Sequence, residues 1–184
     1  MAEAEAIRQI QAGNIDGLKA LVEQYQLQAV RTAVLITRDL PLAEEVVQSA
    51  FLRFYERAHH FDPDRPFTPY FLRMVVNAAI KAARRRDRTG SLDRPAGNGT
   101  VPFYELLPDP RPGPADRLST RLLQEEVWSA LGRLSPRQRA AVVQRYYLEM
   151  SEAEMAAEMG IAPGTVKWHL HQARERLREL LKDL

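Results

Sequence analysis

The 184-residue chain has no cysteine, which excludes disulfides, thiolate metal sites and cysteine catalysis. No apolar run approaches the roughly 20 residues that a bilayer-spanning helix needs. The acidic, alanine-rich start Met1-Ala-Glu-Ala-Glu5 lacks the basic and then apolar order of a signal peptide. These absences point to a cytoplasmic protein with no membrane contact of its own. The nine glycines build no phosphate-binding loop, and neither a Gly-x-Ser-x-Gly elbow nor a His-Glu-x-x-His pair is present. The four histidines fall in close pairs, His59 with His60 and His169 with His171. Residues two apart point to different sides of a helix and chelate poorly. Neither an enzyme, a metal site nor a bound cofactor is expected. Strand-type alternation is missing too.

What is present is a period near 3.6 and enough apolar content, 45%, for a proper core. Ile15, Leu18, Val22, Tyr25, Ala29 and Ala33 form one stripe, predicting a helix over about Ile15–Arg38. A second opens at Pro41 and turns Leu42, Val46, Ala50, Phe51, Phe54 and Ala58 inward. Phe61-Asp-Pro-Asp-Arg-Pro66 reads as a loop. Thr68-Pro69 then serves as cap and first turn of a third helix, which runs to about Arg86 and buries Leu72, Val75, Val76, Ala79, Ile80 and Ala83. A weaker helix over Ala4–Ala12 precedes them. Six of the twelve prolines fall between 95 and 114, a composition that favours an extended linker. Its apolar island Val101–Leu107 either docks on a surface or merely brushes the nearest lobe. Helices resume at Asp116, with Leu118, Leu122, Val127, Leu131 and Leu134 inward and an end near Gly132. Ser135-Pro-Arg-Gln138 is a capping box opening a helix through about Leu148. The expected fold is all-α: a bundle of three or four helices over 1–90, a Pro/Gly-rich linker over 91–115, and a second helical lobe over 116–184.

The second lobe carries Ser151-Glu-Ala-Glu-Met-Ala-Ala-Glu-Met-Gly-Ile-Ala-Pro-Gly-Thr-Val-Lys-Trp-His-Leu170. Ser151 with Glu154 forms a second capping box, Gly160 suits a left-handed helix end, and Pro163 suits the next helix's first turn. Met155, Ala156, Met159, Ile161, Val166 and Leu170 can pack two helices at a steep angle, the pattern of a DNA-binding helix-turn-helix. The last helix turns Val166, Leu170, Ala173 and Leu177 inward. Trp168 either touches thymine methyls or sugars from the recognition helix or anchors the lobe's core.

Charge is uneven. Residues 61–90 carry seven basic and three acidic side chains within a chain of net charge +2. Arg73, Asn77, Lys81, Arg84 and Arg88, three or four apart, share one helix face. Cations hold phosphates and an amide can read a base edge; the same face could simply be solvated. Tyr55, Phe61, Phe67, Tyr70 and Phe71 lie beside it. Such aromatics could stack unpaired bases, although Phe67 and Phe71 read better as core. Glu44, Glu45 and Gln48 form a polar patch next to Phe51 and Leu52, suited either to a basic protein surface or to water.

Three segments carry a family resemblance. Leu42-Ala-Glu-Glu-Val-Val-Gln-Ser-Ala-Phe-Leu-Arg-Phe54 looks like Asp-Ala-Glu-Asp-Leu-Val-Gln-Glu-x-Phe. Phe67-Thr-Pro-Tyr-Phe-Leu-Arg-Met-Val-Val-Asn77 is similar to Phe-x-x-Trp-Leu-x-x-Ile-x-x-Asn. Leu134-Ser-Pro-Arg-Gln-Arg139, the helix-turn-helix and His171-Gln-Ala-Arg-Glu-Arg-Leu177 complete the set. In this order they resemble the extracytoplasmic-function (ECF) sigma factors of the sigma-70 family, bacterial RNA polymerase initiation factors built from region 2 and region 4.

The resemblance implies roles for single residues. Glu44, Glu45, Gln48 and Phe51 would bind the clamp coiled coil of the polymerase β′ subunit, and region 4 the β flap. Arg73, Asn77, Lys81, Arg84, Arg85 and Arg88 would engage the −10 promoter element as its duplex opens. Arg137, Thr165, Lys167, Trp168, His169, Gln172 and Arg174 would meet the −35 element. The linker would thread toward the active-site channel and RNA exit path. An anti-sigma factor would mask these surfaces. The chain departs from the family pattern at Leu42, Tyr70, Ala162, Trp168, His169 and Gln172, so the family's −35 base preference does not carry over. The competing reading is a LuxR-like or stand-alone helix-turn-helix regulator that works without core polymerase; it would need a different first lobe.

Overall fold

Capping chemistry sets where the helices begin and end. The computed structural model describes residues 3–88 and 114–182, apart from the side chains of 114–121. The expected linker and its island Val101–Leu107 fall, but for the linker's last two residues, outside the described residues. In the first lobe, α1 is Glu3–Gln11, α2 Asp16–Thr37, α3 Leu40–Arg57 and α4 Phe67–Arg88, with a 3-10 turn at Ala58–His60. In the second, α5 is Pro114–Gly132, α6 Pro136–Val142, α7 Glu152–Met159 and α8 Pro163–Leu180. No strand occurs among the described residues.

Most boundaries follow local signals. The Asp39 carboxylate accepts the Leu42 amide at 3.0 Å and starts α3. Ser135 with Gln138 and Ser151 with Glu154 both form complete capping boxes. Gly160 ends α7 at φ 64°, in the left-handed region that a side chain resists. Ala162 gives α8 no side-chain cap.

Two starts differ from expectation. Ile15 lies outside α2 and is 62% exposed, because Asn14 catches the Asp16 amide and begins the helix after it. Helix α4 starts at Phe67, one residue before Thr68, because its cap comes from α1. There the Glu3 carboxylate accepts the Phe67 amide at 3.2 Å and the Thr68 hydroxyl at 3.3 Å, and also the Tyr25 hydroxyl.

The first lobe buries one aromatic stack. Phe54, Phe67 and Phe71 are each fully buried, with Phe67 lying 4.8 Å from Phe54 and 5.2 Å from Phe71 between ring centres. Val47, Val75, Val76, Leu21 and Ile36 complete the core. Helices α1 and α2 cross closely at Gly17, where an added Cβ would stand 2.2 Å from the Ala6 carbonyl oxygen.

In the second lobe, Ala141, Met155, Ala156, Val166 and Leu170 make a small separate core. Leu122 was expected inward but is 55% exposed; further along α5, Val127, Trp128 and Leu131 pack against the body of the protein. Helix α6 continues into a wider π turn over Val143–Tyr147.

The lobes are docked rather than free. Leu131, Leu134, Ala140, Val143 and Ala173 join the apolar cluster of the first lobe. Around them the seam is polar. Arg139 sits 4.0 Å from Asp87, and the Arg38 guanidinium lies 4.8 Å from the centre of the Trp128 ring. Gly132 leaves room for that guanidinium, since a Cβ there would come 1.8 Å from its Nη1.

Candidate nucleic-acid interface

Helix α4 turns Phe71, Leu72, Val75, Val76, Ala79, Ile80 and Ala83 into the core, so spacing alone sends the alternate positions outward. Arg73, Lys81, Arg84, Arg85 and Arg88 are all exposed. Arg86 is turned aside: half-buried, it contacts Asp39 at 3.4 Å and Asp87 at 3.8 Å. Asn77 is half-covered, and its side-chain amide donates to the main-chain carbonyl of Glu158 in α7 at 3.2 Å.

Beside this row opens a cleft of about 970 Å³ between the 58–66 turn, the start of α4 and the end of α7. Phe61, Tyr70, Arg57, Arg65, Arg73, His60 and Glu158 are among its lining residues. Tyr70 is exposed and its ring centre lies 4.7 Å from that of Phe61. Phe67 and Phe71 belong to the core, as their spacing suggested. Burial pushes the Glu158 carboxyl up to about 7; the Arg73 guanidinium pulls against that shift and Glu154 adds to it.

On α3, Glu44, Glu45 and Gln48 are exposed. Phe51, expected beside them on a polymerase-binding face, is instead 5% exposed and packs 4.2 Å from Phe71. A ring held in the core cannot serve a surface contact, so the apolar side chain on this face is the exposed Leu52.

The last helix, α8, shows a similar split. Val166, Leu170 and Ala173 are buried, while Thr165, Lys167, Trp168, Gln172 and Arg174 are exposed. Trp168, 56% exposed, is thus on the surface and not in the core. His169 is corrected from a base contact to a buried residue, 6% exposed, with the Trp168 ring 4.9 Å away at 64°. It falls at the edge of the inward stripe of Val166, Leu170 and Ala173. Burial, and secondarily Arg137, holds its pKa below the ordinary histidine range. Lys167 pairs with Glu152 at 3.9 Å. Arg174 Nε donates to the Tyr146 hydroxyl at 2.9 Å, which fixes the guanidinium at the edge of the exposed arc. His171 and Tyr146 are exposed on this surface and were absent from the expected contact set. The spacing of His171 from Trp168 and Lys167 would have found it; Tyr146 had no local signal. Arg137 is exposed in the first turn of α6.

The sigma-70 region 2 model matches residues 21–89, and the sigma-70 region 4 model matches residues 124–177. The chain is similar to the ECF RNA polymerase sigma factor SigL of Mycobacterium tuberculosis, 32% identical over 171 residues covering 91% of this chain and 90% of the relative. Among solved structures, it resembles CnrH in complex with the cytosolic domain of CnrY, with a TM-score of 0.66 at 23% identity, covering 100% of this chain and 99% of that one. It also resembles the sigma factor RpoE in complex with the anti-sigma factor NepR from Bartonella quintana, with a TM-score of 0.63 at 24% identity, covering 89% of this chain and 98% of that one. These two likenesses speak to the fold.

Proposed function

The chain belongs to the ECF sigma factors of the sigma-70 family, and on that premise we propose that it binds core RNA polymerase and melts promoters. The supporting observation is the pairing of two surfaces in one chain: the outward row on α4 and the exposed arc of α8. In this reading Arg73, Lys81, Arg84, Arg85 and Arg88 hold the phosphates of the −10 element. Asn77 reads a base edge, and the exposed Tyr70 ring, backed by the buried Phe61, offers stacking surface to a base leaving the duplex.

Helix α8 enters the −35 major groove, with Thr165, Lys167, Trp168, Gln172 and Arg174 as its contact set. Arg137 adds a phosphate contact from α6. Glu44, Glu45, Gln48 and Leu52 form the face of α3 that meets the β′ clamp, and the second lobe meets the β flap. An anti-sigma factor is the expected protein regulator, since the related RpoE is found with one. A stand-alone regulator is disfavoured, because an all-helical first lobe with a cationic row has no part in it.

The test is run-off transcription with core enzyme on genomic fragments. Selective transcripts that need this chain support the reading. No selective initiation, together with tight operator binding by the chain alone, would establish the regulator instead.

A further inference from the structure

Helix α1 spends three polar side chains on one distant segment. The Gln11 side-chain amide donates to the main-chain carbonyls of Ala58 and Phe61, each at 2.8 Å. Arg8 pairs with Asp64 at 3.0 Å. Glu3 accepts the Phe67 amide and the Thr68 hydroxyl. The 58–66 turn is thus gripped at its start, its middle and its exit into α4. The region 2 match begins at residue 21 and gives α1 no role. We propose that α1 is the positioning element of the strand-capture site: Gln11, with Arg8 and Glu3, fixes the 58–66 turn and with it the Phe61–Tyr70 stacking surface. This rests on the reading of α4 and Tyr70 as the strand-binding site.

Three observations carry it. The turn does little to hold itself. Pro63 and Pro66 have no amide to donate. Its internal bonds are short-range, with the Phe61 amide on the Ala58 carbonyl and the Arg65 amide on the Asp62 carbonyl, each at 3.0 Å. Next, what the turn carries belongs to the site. Phe61 backs the exposed Tyr70 ring at 4.7 Å, and His60 and Arg65 line the same cleft. Tyr70 itself stands in the first turn of α4, whose opening amide Glu3 caps, so both rings owe their place to α1. Finally, α1 is anchored without these bonds. Ala6, Ile7 and Ile10 are buried, and α2 packs closely on it at Gly17.

A surface ordered before its ligand arrives avoids the entropy of ordering it on capture. Loosening the turn should therefore weaken strand capture and spare polymerase assembly, since the face read as meeting polymerase is on α3 at Glu44, Glu45, Gln48 and Leu52.

Gln11→Met keeps the side chain's bulk and removes both donors, whereas Gln11→Lys keeps a donor. Each full chain is assembled with core polymerase and bound to fork-junction DNA from a promoter that yields a run-off transcript. 2-Aminopurine is placed singly along the unpaired −10 strand. Gln11→Met should weaken fork binding about tenfold, the scale of two lost half-buried hydrogen bonds, and abolish the 2-aminopurine fluorescence change. Gln11→Lys should keep both near wild type. Both variants should assemble with core polymerase and bind full duplex unchanged. Gln11→Met with wild-type fork affinity and fluorescence would overturn the proposal. Loss of core assembly in the same proportion would make α1 a merely structural helix and equally overturn it. If Gln11→Met fails to fold in chemical denaturation, Arg8→Glu and Asp64→Arg, singly and together, decide. These exposed side chains should couple by roughly two- to threefold in fork affinity, and zero coupling would overturn the proposal. A wild-type holoenzyme with no 2-aminopurine change at any position would instead overturn the reading of α4 and Tyr70, and this inference with it.

Discussion

Two buried interfaces in this molecule are made of different material. The first lobe is closed by Phe54, Phe67 and Phe71, with valines and leucines around them. The seam between the lobes combines a few alanines, leucines and a valine with Arg38, Arg139, Asp87, Asn77 and Glu158. Burial lowers the Arg139 pKa to about 10, with Asp87 opposing the shift and Arg38 and Arg86 adding to it. A guanidinium so desolvated, with one carboxylate for company, is a costly element in a permanent core. The difference teaches that the first lobe is closed by aromatic and aliphatic packing, while the seam adds desolvated charge and polar contacts to a few apolar side chains.

The sharpest break of that contrast is a cavity in the first lobe. Phe54→Ala removes a fully buried ring that touches Phe61, Phe67 and Tyr70. It should cost about 3–5 kcal/mol in chemical denaturation. A loss below about 1 kcal/mol would show that the stack is not the support it looks to be.

The next effect is on the seam alone. Glu158 is held at about 7 in the docked form, above the ordinary glutamate value it regains once the lobes part. The docked state therefore binds that proton more tightly. Docking is strongest below the ordinary glutamate pKa and weakens as pH rises through about 7. With allowance for water around a half-buried group, the change is on the order of 1–2 kcal/mol. Arg73 and Glu154 are the charges acting on it. Energy transfer between labels on the two lobes should fall between acid and neutral pH, and Glu158→Gln should flatten that profile. A profile identical in both proteins would remove Glu158 from the seam.

A smaller effect belongs to Asp87, which is half-exposed and sits 4.0 Å from Arg139. Asp87→Ala should loosen docking by about 1 kcal/mol, seen as a larger radius in small-angle scattering, with the first lobe's unfolding unchanged. Smallest is Ser151→Ala, which takes the capping box from α7 and should lower second-lobe stability by roughly 0.5–1 kcal/mol. Its docking should scarcely move.

What the sequence made legible was local. Ser135 with Gln138, Ser151 with Glu154 and Gly160 announced themselves, because each cap is completed within a few residues. The apolar stripe of α4 and the inward place of Phe67 and Phe71 followed from spacing in the same way. Long-range pairings left no such mark. The Glu3 cap on α4 joins residues 64 apart, and the Asn77–Glu158 bond residues 81 apart. His169, and the polymerase-contact role of Phe51, went astray for another reason. Both roles came from a motif correspondence, whereas the helical period, which already turns Phe51 inward, puts the two side chains at the edge of or inside an apolar stripe.

If the two lobes part to grip a promoter, the distance between them should grow during initiation. The most direct measurement places donor and acceptor dyes on Gln26→Cys and Lys182→Cys, exposed positions on either side of the seam. Energy transfer is followed during reconstituted initiation. Transfer should be high in the free chain and should drop when core polymerase and a selected promoter are added, in the same reaction that yields the run-off transcript. Transcript made at full rate with transfer unchanged would show that the lobes need not part.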